Sequence, residues 1–171
     1  MPGVTRQPVP ETALHAKYAR NGGHADCFVT DIARQVTHAE YVEAFYTSWL
    51  FRLERLVLTC LVFKPSTDAE ARAVARGERD RFAAWFLEAR APDQLLMHDY
   101  QDKTRSWFKV ESLRREPPTT RLYFGTGIKP VTDENGTKRL GVFFKLLMGF
   151  HLLYARALLS AARSRLERSG R

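Results

Sequence analysis

The sequence predicts an α+β fold: an antiparallel sheet of about five or more strands wrapped on a long C-terminal helix, with N-terminal helices as a cradle. Three observations carry that reading. Residues 82–128 hold four β-rich runs separated by turn-prone residues. A proline-free stretch, Leu140 to Leu166, follows and is long enough for about seven helical turns. A helix-start signature near residue 37 opens a broad apolar stripe.

The chain has 171 residues, enough for one domain with its own core. Hydrophobic residues make up 44% and charged residues 27%, as in ordinary globular proteins. Residues 1–24 begin with three prolines in ten positions and read as a disordered tail. Residues 25–168 then form a single α+β domain, and 169–171 a short C-terminal tail. The first ten residues lack the apolar core a signal peptide needs, so the expected compartment is the cytoplasm. Cys27 and Cys60 both stand in apolar surroundings and read as buried free thiols.

The elements follow in order. Ala25 to Ala33 is a short strand. Thr37 and Glu40 form a capping box, with Val36 and Tyr41 at the staple positions. Apolar residues from Val42 to Leu61 then recur at three- and four-residue spacing, as one helix or as two broken near Thr47-Ser48. Thr67 with Glu70 opens a further short helix that Gly77 ends. The four strand-like runs are Phe82 to Arg90, Leu95 to Tyr100, Arg105 to Leu113 and Arg121 to Ile128; their short connections imply an antiparallel meander. Asp133-Glu134-Asn135-Gly136 reads as a turn before the last helix. The uncharged middle of that helix, Leu146 to Ala155, is ten residues long, well short of a bilayer span, so the chain is not expected to be an integral membrane protein.

This order of elements resembles the helix-grip fold of the START and Bet v 1-like superfamily, over residues 25–166 or so. The stretches Gly77 to Trp85, Thr104-Arg105-Ser106-Trp107, Leu122-Tyr123-Phe124-Gly125 and Phe150 to Leu159 are similar to those of uncharacterised bacterial proteins. The resemblance implies a cavity between a curved sheet and the C-terminal helix. That superfamily usually has six or seven strands where five are counted here. It hosts lipid carriers, hormone receptors, cyclases and hydroxylase components, so the fold alone selects no function.

Strand parity separates two faces. Hairpins at Asp102-Lys103 and Pro92-Asp93 set Asp99 opposite Ser106, His98 opposite Trp107 and Trp85 opposite Tyr100. One face then carries Phe82, Phe86, Leu95, Met97, Phe108 and Val110, with Asp99 and Ser106 among them, and is expected to look toward the long helix. The ligand-binding candidates are Asp99, Ser106 and Phe108 from this face, with His151 and Tyr154 from the helix: a mostly apolar pocket with a few placed polar groups. The other face mixes aromatic and basic residues, and Trp85, His98, Arg105, Trp107 and Tyr123 form a candidate surface patch. Such a face stacks bases in sheet-based single-strand binders. Aromatic residues on a sheet face are more commonly covered by a dimer partner or by the N-terminal tail, so nucleic acid is disfavoured and a homodimer is left open.

No metal or cofactor motif is present. The five histidines show no HxxxH or HExxH spacing. Gly125-Thr126-Gly127 lacks the following Gly-Lys of a phosphate loop and reads instead as a place for a strand bend or close backbone approach. Residues 1–100 carry 12 Lys and Arg against 13 Asp and Glu, and residues 101–171 carry 15 against 6, so the excess of positive charge lies in the C-terminal part. The function expected is binding of a small apolar or amphipathic ligand between sheet and C-terminal helix, without catalysis. The alternatives are an enzyme of cyclase or hydrolase type on the same scaffold, using Asp99, His151 or Tyr154, and an interaction module using the aromatic-basic face.

Overall fold

The computed structural model describes residues 3–62, 65–132, 138–139 and 142–169, with the side chains of all of these but 57–62, 131–132, 138–139 and 142–151. The strands are β1 (Thr5–Arg6), β2 (His24–Ala25), β3 (Phe28–Ile32), β4 (Arg81–Phe82), β5 (Trp85–Ala91), β6 (Gln94–Asp99), β7 (Thr104–Leu113) and β8 (Thr119–Ile128). They form one antiparallel sheet in the order β1-β3-β8-β7-β6-β5-β4, with β2 paired to β8. A separate ribbon joins β9 (Val131–Thr132) to β10 (Lys138–Arg139). The turn expected at Asp133-Glu134-Asn135-Gly136 lies outside the described residues.

Among the described residues five helices accompany the sheet: α1 (Ala16–Arg20), α2 (His38–Tyr46), α3 (Trp49–Val62), α4 (Asp68–Ala75) and α5 (Val142–Ser169). The apolar stripe after residue 37 is thus two helices that break at Thr47-Ser48. Both capping boxes form: the Thr37 side chain accepts from the Glu40 amide while Glu40 takes the Thr37 amide, and Thr67 and Glu70 repeat the exchange. Gly77 stands past the end of α4 at φ +79°, where glycine is at ease and other residues are strained. Helix α5 rests on α2, β3 and β8.

The core between sheet and helices is rich in aromatic rings. Phe45 of α2 lies 4.7 Å from Phe108 of β7 and 4.8 Å from Phe124 of β8, and Tyr46 lies 4.8 Å from Phe82. Leu95, Met97, Leu122, Leu158, Leu159 and Ala162 complete it, all buried. Burying each large side chain contributes on the order of 1.5–3 kcal/mol.

The opposite face is covered too. Residues 1–24, expected as a disordered tail, include β1, which pairs with β3, and α1, which lies beside β2 and β8. Ala13, His15, Ala16 and Tyr18 are buried against Val29, Leu96, Trp107 and Tyr123. The reason is steric. A Cβ on Gly125 would sit 2.6 Å from His15 Nε2 and 2.5 Å from the Asp26 carbonyl oxygen, and one on Gly127 would sit 2.9 Å from the Tyr18 ring. Alternate glycines on this side of β8 therefore cut a trough that the N-terminal segment fills. His15 stacks on Trp107 at 4.5 Å and donates Nε2–H to the Asp26 carbonyl at 2.9 Å. Sheets buried on both faces read as near-continuous apolar runs rather than clean alternation, and in β8 all but Arg121 is buried.

Two predictions follow from this layering. Gly125→Ala drives a methyl into His15 and the Asp26 carbonyl; it should cost about 1–3 kcal/mol in urea unfolding and expose the N-terminal segment to limited proteolysis. An unchanged cleavage pattern would contradict the trough. Burial also holds the His15 imidazole below its ordinary range, and it pushes His38 down to about 4. Both rings stay neutral in the fold and take up protons on unfolding near pH 6.5. A base with a depressed folded pKa contributes stability that is complete above its unfolded value and is lost as pH falls toward the folded one. Between pH 6.5 and 4.5, His38→Gln should flatten the acid loss of stability by about 2 kcal/mol relative to the parent. Urea melts that fall in parallel for parent and variant would refute this.

Candidate functional site

The hairpins preserve part of the expected register and correct the rest. Met97 faces Ser106, Leu95 faces Phe108 and His98 faces Arg105. The β6–β7 turn is thus centred on Gln101-Asp102, one residue earlier than Asp102-Lys103, which slides the pairing by two residues and leaves the parity of the two faces intact. The β5–β6 pair behaves differently. From Ala89 to Ala91 it follows the expected register, but an irregularity between Leu87 and Ala89 sets Trp85 against Asp99 and Phe86 against His98. One extra residue in a strand exchanges its faces. Trp85 and Leu87 consequently pack against the helix-side core, and Phe86 moves to the other side, where it stacks on His98 at 5.5 Å.

A cavity of about 250 Å³ lies between the helix side of the sheet and α3 and α5. Its walls are Phe45, Phe51, Trp85, Phe124, Tyr154 and Leu158, with Ser106, Thr126 and Glu54 as polar points among them. Ser106 and Tyr154 are brought together here. Phe108 is fully buried in the core behind the cavity rather than on its wall. Asp99 belongs to neither: its carboxylate accepts from the Lys103 amide at 2.8 Å and the Thr104 amide at 3.3 Å, closing the β6–β7 turn. The side chain of His151 lies outside the described residues.

Two further groups at the site escaped sequence reasoning. Glu54 on α3 accepts a hydrogen bond from the Tyr154 hydroxyl. Burial raises the Glu54 carboxyl above its ordinary range, with the Tyr154 bond opposing; burial and the neighbouring Glu54 charge hold the Tyr154 phenol protonated. Trp85 Nε1 is buried and has no hydrogen-bond partner among the described residues. The only sequence signal for Glu54 was a carboxylate within an apolar helical stripe, and the bulge hid that of Trp85.

The aromatic-basic face is not a surface. Trp107 and Arg105 are 0% and 2% exposed, and Tyr123 is 9% exposed. Trp85 lies on the opposite face, and His98 remains half-buried beside Phe86. Arg105 Nε donates to the Tyr18 hydroxyl at 2.7 Å and to Glu88 at 2.8 Å, while its terminal nitrogens reach the Asp102 carbonyl and carboxylate. Its guanidinium also lies over the Tyr18 ring at 4.7 Å. Burial works to raise the Glu88 carboxyl, yet Lys17, Tyr18 and Arg105 together hold it below its ordinary range. Trp107 Nε1 donates to Gln94 at 2.8 Å. The cations and rings read as a binding patch are instead the seam that fastens the N-terminal segment.

Among the described residues no group of three or more His, Cys, Asp or Glu is placed to hold a metal ion, and no helix is long and apolar enough to cross a membrane. Cys27 is a buried free thiol whose pKa burial pushes up to about 12, while the side chain of Cys60 lies outside the described residues. Arg163, in the basic C-terminal part, is engaged by Glu167 at 2.9 Å and by the Thr30 hydroxyl at 3.3 Å. No protein-family model, curated protein or solved structure matches the chain.

The seam carries its own test. Arg105→Ala leaves Glu88 without its buried cation and should cost about 3 kcal/mol. The Arg105→Ala, Glu88→Ala pair should cost less than the two single changes added together. Strict additivity in a double-mutant cycle would show that the two side chains act independently.

Proposed function

We propose that the chain is a helix-grip protein of the START and Bet v 1-like kind, binding a small apolar or amphipathic ligand between its sheet and α5. The observation that carries the reading is the aromatic-walled cavity against α5, which contains a few polar groups as ligand pockets do. Its volume, about 250 Å³, sits just under the usual range for such pockets, so it suits a small ligand or one end of a longer one. Ser106 and Tyr154 are the ligand-contacting residues from the original set. Asp99 stands outside it as a turn cap, and Phe108 supports the wall from behind. Among the described residues the sheet has eight strands, against the six or seven usual in this superfamily.

An enzyme of cyclase or hydrolase type on the same scaffold is the second reading. Its supporting observation is the Glu54–Tyr154 pair, a carboxyl raised by burial within hydrogen-bond reach of a phenol at the cavity wall. The interaction module loses its basis, because the face it required lies beneath the N-terminal segment.

Native mass spectrometry of gently purified protein is expected to show a co-purifying small apolar or amphipathic compound. Ser106→Phe, which fills the cavity from β7, should abolish its retention while leaving a cooperative thermal transition. Equal retention in a folded Ser106→Phe protein would place the compound elsewhere and remove the support for this reading.

A further inference from the structure

Glu54 differs from the partly buried Asp31 and Glu88 in what answers its charge, while the more deeply buried Asp26 accepts from the Thr126 amide and lies beside His24. Asp31 is paired with Arg121 and Arg115, and Glu88 with Lys17 and Arg105. Glu54 receives the Tyr154 hydroxyl and, among the described residues, has no ion pair. Arg105 also borders the cavity, but its guanidinium is engaged on the other face of the sheet by Glu88, Tyr18 and Asp102. The cavity wall around Glu54 is made of the rings of Phe45, Phe51, Trp85, Phe124 and Tyr154.

We propose that the cavity takes a small protonated amine, its ammonium pairing with Glu54 against the aromatic wall and its remainder filling the apolar space. This rests on the ligand-binding reading above and names the chemical class of the ligand. A carboxylate withdrawn from water without a cation is unfavourable, and a ligand that supplies the cation relieves that penalty. Aromatic faces attract the same charge through their quadrupoles, most strongly where water is excluded. An anionic ligand meets repulsion from Glu54, and a neutral one leaves the carboxyl unanswered. The unpartnered Trp85 Nε1–H adds one preference, for a ligand that also carries an acceptor oxygen. At about 250 Å³ the cavity holds the equivalent of roughly eight waters at about 30 Å³ each, which limits the ligand to about one ring and a short arm.

Three compounds of nearly constant shape separate charge from apolar fit: benzylamine, benzyl alcohol and benzoate. Isothermal titration of the full chain near neutral pH should give benzylamine at least tenfold tighter binding than benzyl alcohol, with benzoate the weakest. Glu54→Gln keeps the side chain's shape and a partner for Tyr154; it should remove the preference and leave benzyl alcohol within about twofold of its parent affinity. Equal affinity of the parent for benzylamine and benzyl alcohol would overturn the amine assignment while leaving a ligand-binding cavity in place. So would a preference that persists in Glu54→Gln. Failure of all three compounds to bind would sink both the amine and the cavity reading for ligands of this size. If Glu54→Gln does not fold, the ratio measured on the parent decides alone.

Discussion

Strand β8 is paired on both edges and buried on both faces, and the two layers of the protein are organised by what its side chains alternately present. Leu122 and Phe124 point to the helices and enter the aromatic core with Phe45 and Phe108. Gly125 and Gly127, on the opposite side, present no side chain, and the space they leave is occupied by His15 and Tyr18. A central strand with large residues on one face and none on part of the other would be a weakness in an open sheet, since glycine contributes no packing of its own. It is tolerated because another segment of the same chain supplies the missing volume.

That arrangement explains which parts of the sequence were legible. Capping boxes, turn residues and the long proline-free helix are local signals, and each produced the element expected, including both helix starts at Thr37 and Thr67. The meander and the parity of β6 against β7 were equally readable, because moving a hairpin's centre by one residue slides the pairing by two and keeps the faces in place. Face assignment in β5 failed at a single irregularity after Leu87, which moved Trp85 from an expected surface patch to the cavity wall. Nothing in Trp85-Phe86-Leu87-Glu88 announces a bulge, since every residue there also suits an ordinary strand.

Exposure was the harder property to read, because it depends on segments remote in sequence. Arg105, Trp107 and Tyr123 alternate as surface residues do, and the prolines at the N-terminus read as a tail. The two misreadings have one cause. The rings and cations of the sheet face and the His15 to Tyr18 segment are halves of one interface, each appearing solvent-exposed when considered without the other. Glu88 is the joint: it accepts from Lys17 and Tyr18 on one half and from Arg105 on the other. Removing one partner of such a buried pair costs more than the intact pair contributes, because the other charge is left unanswered away from water.

The contrast between the two faces bears on where function resides. On the N-terminal side, the charges of Glu88 and Arg105 are matched, and Trp107 Nε1 has Gln94. On the helix side, the polar groups around the cavity are not matched in the same way. Among the described residues Trp85 Nε1 and the Tyr46 hydroxyl are buried without partners, and Glu54 has a phenol where a cation would be expected. Buried polar groups are satisfied in the great majority of native structures, so a local concentration of exceptions needs a physical reason. Two of these three groups border a single cavity, and burial combined with the Glu54 charge keeps the third, Tyr46, protonated as a donor. On the N-terminal side the Nδ1 of His15 is also left over among the described residues, but it stands in a seam filled by the chain itself, whereas Trp85 Nε1 and Glu54 border open space of a size that a small ligand fills.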